Sequence, residues 1–130
     1  MSGARSLRSR KNAERRGRYS EHIAAWSYRI KGFRVLAKRY RTPFGEIDLV
    51  LRRRSLLIFA EVKARATFEE AFHALRPQQQ QRLSRAASIY LRDHPKHNTS
   101  SVRFDLIAVR PWRWPRQIVD AWRPESMFGG

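Results

Sequence analysis

The strongest hydrophobic signal along the chain lies in two short runs separated by a polar turn. Residues 44–51 and 56–64 are rich in β-branched, leucine and aromatic residues, and Arg52–Ser55 lies between them. Runs of this length with polar boundaries are typical of buried strands. Adjacent strands with a short connection pair antiparallel, so we predict a central β-hairpin.

Upstream of this hairpin the pattern predicts one helix and one strand. The helix starts at Tyr19 with Ser20 as its N-cap residue, and Gly32 stands just past its end. The strand covers Phe33–Tyr40, where apolar and basic residues alternate. Thr42 and Pro43 then turn the chain into the hairpin.

Downstream, residues 64–73 lack a clear period and are predicted as a loop with room for a short helical turn. Pro77 opens a second helix whose apolar residues recur at helical spacing and pack on the sheet. Two further strands are predicted over Val102–Val109 and Gln117–Trp122. This order of elements predicts an α/β domain built around a mixed sheet.

Composition predicts a basic, single-domain protein with a polyanionic partner. The 130 residues suffice for one folded domain, which we place at residues 19–124. Lys and Arg number 28 against 11 Asp and Glu, a net charge of +17 that favours nucleic acid over an anionic membrane. No apolar run approaches the roughly 20 residues of a membrane-spanning helix. With no cysteine and no apolar signal segment, the sequence favours a cytoplasmic location.

Both ends of the chain are predicted to lie outside the folded domain. Residues 1–18 hold seven Arg and Lys residues opposed only by Glu14, and we expect a disordered basic arm. Such an arm either binds phosphates non-specifically or stays solvated. Residues 125–130 are predicted as a flexible C-terminus.

Four charged residues interrupt the apolar runs of the hairpin. Glu46 and Asp48 share one face of their strand, and Glu61 and Lys63 share a face of the next. Antiparallel pairing can bring these faces together. Because buried unpaired charge is costly, the cluster requires either a metal ion or a salt bridge.

The spacing of these residues suggests phosphodiester hydrolysis. Asp48 and Glu61 offer oxygen ligands of the kind Mg²⁺ takes in addition to water and phosphate oxygens. Lys63 points to the same side as Glu61, where its ammonium can hold the attacking water or stabilise developing charge. The alternative is a buried structural salt bridge between Lys63 and the carboxylates.

Several stretches together resemble a known protein family. They are Gly45–Leu49, Phe59–Arg65, the helix with Ala86, Ala87, Tyr90 and Leu91, and Arg103–Asp105. In this order they resemble the UPF0102 (YraN-like) family, which is similar to archaeal Holliday-junction resolvases of the PD-(D/E)XK nuclease superfamily. The resemblance covers roughly residues 16–122. It implies a restriction-endonuclease-like α/β core, with a mixed β-sheet flanked by helices.

The resemblance also assigns roles to individual residues. Asp48, Glu61 and Lys63 match the acidic and Glu-x-Lys signature of the superfamily, with Asp48 and Glu61 as ligands of Mg²⁺, or of Mn²⁺ as a substitute. Glu21 matches an acidic residue on the first helix that can complete the metal site in the resolvase-like branch. Glu46 matches the Glu of the family's Gly-Glu-Ile-Asp.

Two positions depart from the pattern. Ile47 replaces the Pro of the superfamily's Pro-Asp, and Gln79 stands where many members have Lys, which removes one charge from the helix expected to flank the substrate. Contacts with nucleic acid are expected from Arg16, Arg18, Arg65, Gln79 and Arg82.

The sequence therefore predicts a Mg²⁺-dependent endonuclease-like protein acting on DNA, with branched or structured DNA as the expected substrate. A non-catalytic nucleic-acid-binding accessory protein that keeps the nuclease fold is the alternative, and a ribosome- or RNA-associated protein is a third, weaker interpretation. Cutting a junction would favour a homodimer. Trp112, Trp114 and Trp122 either provide its apolar surface or belong to the core.

Overall fold

One mixed five-stranded sheet with helices on both faces forms the fold. The computed structural model describes residues 17–97 and 100–123 of the chain. The elements in chain order are α1 (17–29), β1 (Arg34–Thr42), β2 (Gly45–Arg53), β3 (Leu56–Ala64), α2 (Phe68–Ala74), α3 (Pro77–Asp93), a 3₁₀ turn (Pro95–His97), β4 (Ser101–Val109) and β5 (Arg116–Ile118). The strands follow the order β1-β2-β3-β4-β5 across the sheet. This α/β architecture is compatible with the predicted restriction-endonuclease-like core.

The crossover between β3 and β4 explains why the sheet is mixed. These two strands are parallel, whereas the β1–β2, β2–β3 and β4–β5 pairs are antiparallel. A parallel pair needs a long connection, and helices α2 and α3 supply it. No helix within the described ranges is both long and apolar enough to cross a bilayer.

Each face of the sheet packs against its own helix. On one face, Ala24, Ala25 and Tyr28 of α1 lie in a buried cluster with strand residues that include Leu51 and Ile58. On the other face, α3 contributes Leu83, Ala86, Ala87 and Tyr90 to a cluster with Val50, Leu57, Phe59 and Phe104. The predicted amphipathic pattern of the second helix is thus confirmed, and the sheet is buried between two helical layers.

The N-terminal boundaries of two elements differ from the prediction. Residues 17–19 are already helical, so Ser20 is a buried residue inside α1 and not its N-cap. Gly32 follows α1 with φ +89°, as expected of a residue beyond a helix end. The next strand begins at Arg34 and runs to Thr42, past the predicted end at Tyr40.

The segment predicted as a loop contains the two-turn helix α2. Thr67 caps this helix, because its hydroxyl accepts a hydrogen bond from the backbone N–H of Glu70 at 3.2 Å. Thr67 followed by Glu70 three residues later is a capping-box signal that the apolar pattern alone does not reveal.

The last strand is shorter than predicted. It ends at Ile118 because the chain turns at Asp120, which has φ +54°. Trp122 then packs into the core, where its indole N–H donates to the Ser84 hydroxyl at 3.2 Å. Trp112 and Trp114 are exposed, so the three tryptophans do not form one surface.

A fully buried carboxylate, that of Asp105, ties α1 to strand β4. Asp105 on β4 accepts one hydrogen bond from Tyr28 at 2.8 Å and two from the Arg103 guanidinium at 2.8 Å each. The backbone N–H of Asp120 donates a fourth at 3.0 Å. Burial and the neighbouring Asp105 raise the pKa of Tyr28, so the phenol stays protonated and keeps donating. The four bonds satisfy a charge that could not otherwise be buried.

We predict that this interaction is a main determinant of stability. Asp105→Ala should lower the free energy of unfolding by about 3–5 kcal/mol, since it leaves the Arg103 charge unpaired. Tyr28→Phe should cost about 1.5–3 kcal/mol, the range for a hydrogen bond to a charged group. Urea denaturation measures both changes.

Asp120→Asn is the matched control for this prediction. It alters the exposed ion pair with Arg123 but keeps the backbone N–H and a side chain that tolerates positive φ. Its cost should be small, because exposed ion pairs contribute little to stability. If Asp105→Ala were no more costly than this control, the role assigned to Asp105 would be wrong.

Candidate functional site

The sheet opens between β2 and β3 at the position of the predicted site. Their pairing runs from Arg53–Leu56 to Leu49–Ala60 and stops there. Beyond this point β2 stays paired with β1 as far as Gly45, and β3 stays paired with β4 as far as Ala64. Asp48 and Glu61 are the next residues of the two strands, so they lie where the strands separate.

A side chain replaces the missing strand pairing. The backbone N–H of Val62 donates to Oδ2 of Asp48 at 2.8 Å across the gap. A bond from a neutral donor to a carboxylate is stronger than an amide–carbonyl bond, so it holds the Asp48 carboxylate against β3. The gap is therefore a defined feature of the fold and not a frayed end of the hairpin.

The gap forms part of a cavity of about 530 Å³. Asp48 of β2 lines it, together with the consecutive residues 61–65 of β3 and its C-terminal end. Gly17, Ser20 and Glu21 of α1 line the remaining side. The structure thus brings Glu21, Asp48, Glu61 and Lys63 to one cavity, and Arg65 lies at the same place.

Glu61 is a buried carboxyl that lies next to Asp48. Glu61 is 6% exposed, and its carboxyl is within hydrogen-bonding reach of the Asp48 carboxyl. Burial raises the pKa of Glu61, and the hydrogen bond and charge of Asp48 raise it further, while Lys63 partly opposes the shift. These effects raise the pKa of Glu61 to about 10, so in the metal-free protein Glu61 is protonated at neutral pH.

Glu21 has a basic partner that the sequence did not indicate. Nε of Arg39 donates to Oε1 of Glu21 at 2.7 Å, and the Glu21 side chain is 13% exposed. Burial raises the pKa of Glu21, and the bond with Arg39 opposes this shift. Glu21 thus lines the cavity with its charge already balanced by an ion pair.

The backbone of Arg39 explains how this ion pair forms. Arg39 has φ +53°, and the β1–β2 pairing skips it between Lys38–Leu49 and Tyr40–Ile47. A left-handed residue interrupts the alternation of a strand, so the side chain leaves the regular pattern. No periodicity of the sequence encodes this interruption.

The other predicted site residues lie at or beyond the rim. Glu46 is not among the cavity-lining residues; its side chain is 41% exposed and lies 3.5 Å from Nε of Arg41. Gln79 of α3 places its amide nitrogen 3.5 Å from Oε2 of Glu61, the outer limit of a hydrogen bond. Arg18 and Arg82 are exposed on α1 and α3, and Arg16 lies outside the described residues.

The donor set fits a hard, partly hydrated cation. Within the described ranges, no three His, Asp or Glu side chains cluster closely enough to hold a metal by themselves. Mg²⁺ commonly takes only one or two carboxylates and keeps several waters. Asp48 and Glu61 meet that requirement once Glu61 loses its proton, and Mn²⁺ accepts the same oxygen ligands.

Comparison with known proteins gives a consistent family match. A family model described as "Uncharacterised protein family UPF0102" matches residues 20–109. A UPF0102 protein of Paramagnetospirillum magneticum is 45% identical over 127 residues, covering 95% of this chain and 98% of that protein. UPF0102 proteins of Mesorhizobium japonicum and Parvibaculum lavamentivorans are 46% and 48% identical, covering 87% and 86% of this chain and 90% and 84% of those proteins. Four residues that line the cavity, Glu21, Asp48, Glu61 and Lys63, lie inside the matched stretch.

The carboxyl pair predicts a specific dependence of stability on pH. Because the pKa of Glu61 is raised in the folded state, the folded protein holds this proton more tightly than the unfolded chain does. The resulting stabilisation is fully present below the unfolded pKa of about 4.3 and is lost as pH rises toward the folded pKa. In EDTA, the melting temperature should therefore fall between about pH 5 and 9.

Glu61→Gln should remove most of this fall, because the amide does not titrate. Glu69→Gln, which changes an exposed glutamate of α2, is the control and should keep the wild-type slope. Equal slopes for wild type and Glu61→Gln would show that the pKa of Glu61 is not raised by folding. Thermal denaturation followed by circular dichroism measures the slopes.

Proposed function

The chain belongs to the UPF0102 family, and from its carboxylate cavity we propose that it is a Mg²⁺-dependent endonuclease that hydrolyses phosphodiester bonds of DNA, with branched or structured DNA as its substrate. The observation that carries the proposal is the buried Glu61 next to the partly buried Asp48, with Lys63 in the same open gap of the sheet. Burying Glu61 beside a second carboxyl costs stability, so a functional reason for the arrangement is favoured over a structural one.

The contacts of Lys63 support a functional role for its ammonium. Across the described part of the chain, Lys63 forms no salt bridge and donates no side-chain hydrogen bond. A structural salt bridge would require a direct contact with Asp48 or Glu61. Lys63 is instead near enough to lower the pKa of Glu61 while keeping its three donors available.

These residues divide the work of hydrolysis in the proposed reaction. Asp48 and Glu61 would hold the cation through their carboxylate oxygens after Glu61 loses its proton. When bound, Mg²⁺ supplies a Lewis acid that offsets negative charge on the phosphate. Lys63 donates hydrogen bonds to the attacking water or to a phosphate oxygen, and Arg65 binds a phosphate at the mouth of the cavity.

The charge of the chain supports DNA as the partner. The net charge of +17 is that of a protein that binds a polyanion, and exposed Arg18 and Arg82 lie on the two helices that flank the sheet. The basic arm was predicted over residues 1–18; residues 17 and 18 belong to α1, and residues 1–16 lie outside the described residues. Its contribution to DNA binding stays a prediction.

One observation favours a second function. Glu21 is already paired with Arg39, and the described residues provide only two carboxylates close enough to share a cation. A weak metal site of this kind is also what a non-catalytic DNA-binding protein with a nuclease fold would have. Activity and metal binding must therefore be tested separately.

Lys63→Ala tests catalysis. Loss of a group that stabilises charge in the transition state should reduce Mg²⁺-dependent cleavage of branched DNA by about 100-fold or more. Because Lys63 forms no ion pair, the free energy of unfolding should change by less than about 1 kcal/mol. Single-turnover cleavage assays and urea denaturation provide the two measurements.

Lys96→Ala is the matched control, since it removes the same charge from an exposed position in the 3₁₀ turn. It should leave cleavage unchanged. Should Lys63→Ala instead destabilise the fold by about 3–5 kcal/mol, the salt-bridge interpretation would replace the catalytic one.

Asp48→Asn tests metal binding independently of cleavage. At ten times its dissociation constant, Mg²⁺ should stabilise the wild type by about 1.4 kcal/mol, or several degrees in melting temperature. Asp48→Asn should lose this rise, whereas Asp93→Asn, at the exposed end of α3, should keep it. A wild type with neither a Mg²⁺ response nor cleavage would establish the non-catalytic alternative.

A further inference from the structure

A second cavity lies directly beside the carboxylate cavity. It has a volume of about 680 Å³ and lies between α1, the end of β3 and the loop that follows β4. We call it the aromatic groove and define it by its aromatic and basic lining residues, Tyr19, Trp112, Trp114, Arg65, Arg110 and Arg113. A volume of this order falls within the range of about 300–1,000 Å³ that holds small organic ligands.

The aromatic groove adjoins the carboxylate cavity. Ser20, Ala64 and Arg65 line both of them. A polymer whose phosphate lies at Asp48 and Glu61 would therefore pass Arg65 into the aromatic groove. The groove is positioned to hold the neighbouring part of the same substrate.

The aromatic residues of the groove are not explained by folding. Trp112 is fully exposed, at 102% of its reference surface, and Tyr19 and Trp114 are exposed by more than half. Trp112 also has φ +59°, a backbone conformation that bulky residues rarely adopt. A strained residue that presents a bare indole to solvent is typical of a binding loop.

The charge of the groove selects an anionic ligand. Its lining holds three arginines and no carboxylate. Nε of Arg110 is buried and finds no acceptor within residues 17–97 and 100–123. An oxygen of a bound anion would offer this guanidinium the acceptor that the described residues do not supply.

From these observations we propose that the aromatic groove binds unpaired nucleotides of a single-stranded DNA segment next to the cleaved bond. The bases stack on Trp112 and Trp114, and Arg65, Arg110 and Arg113 bind phosphates. Aromatic rings interleaved with basic residues are the usual means of holding single strands without reading their sequence. The location relative to the cleaved bond rests on the proposed function, whereas the binding itself does not.

A second copy of the chain is the competing occupant. Two copies would bring three arginines of one protomer against another protomer of net charge +17, which opposes association through this face. The charge therefore favours DNA.

Binding of a short fluorescein-labelled oligo-dT to the full chain in EDTA tests the proposal without cleavage. Trp112→Ala should weaken binding by about fivefold or more, as expected for the loss of one stacked base. Trp112→Phe should restore most of the affinity. Trp26→Ala, which removes an exposed tryptophan of α1 outside the groove, should bind like the wild type.

Arg113→Ala provides a second measure that does not depend on stacking. It should reduce the slope of log affinity against log salt for oligo-dT by about 0.7, the contribution of one phosphate in a single strand. Arg34→Ala, an exposed arginine of β1 outside both cavities, is its control.

Each outcome bears on one proposal separately. Equal oligo-dT affinities for Trp112→Ala and Trp26→Ala would overturn groove binding, even if the wild type cleaves DNA. A sedimentation experiment in which Trp112→Ala turns a dimer into a monomer, with unchanged oligo-dT affinity, would assign the groove to a second copy. Trp112-dependent binding by a protein that cleaves no DNA would support the groove and refute the proposed nuclease activity.

Discussion

The separation of β2 from β3 at Asp48 and Glu61 is the constraint on which the candidate site depends. The two strands form a regular hairpin near the Arg53–Leu56 turn and then follow different neighbours, β1 and β4. The bond from the Val62 N–H to the Asp48 carboxylate fixes the point of separation. Without the gap, Glu61 would be an ordinary cross-strand partner of Asp48, and no cavity would reach either carboxylate.

The rest of the fold holds this gap open and covers it. Asp105 anchors Tyr28 and thereby places the N-terminal half of α1 over the cavity, where Glu21 is paired with Arg39. On the face of the sheet opposite α1, helix α3 brings Gln79 near Glu61. The site thus combines features that lower stability, the buried Glu61 beside Asp48 and the left-handed Arg39, within a domain whose two hydrophobic clusters offset them. A divalent cation would relieve the same repulsion that a proton relieves in its absence.

The sequence predicted those features that follow from the alternation of apolar and polar residues along a strand or from strong local signals. The hairpin, the helix opened by Pro77 and the meeting of Asp48, Glu61 and Lys63 follow from apolar runs and strand geometry. The pairing of Glu21 with Arg39 could not be predicted, because it requires a left-handed residue inside β1. Helix α2 was predicted only as a loop with room for a short helical turn, because a two-turn helix depends on its cap. The burial of Trp122 and exposure of Trp112 depend on turns that composition does not distinguish.

The central claim is that Asp48 and Glu61 form a site for a divalent cation. The most direct measurement is an anomalous difference map from crystals soaked in Mn²⁺, whose position is visible by its own scattering. We expect a peak between the two carboxylates, with the Lys63 ammonium beside it. No peak at saturating Mn²⁺, with Asp48 and Glu61 in unchanged positions, would contradict this account.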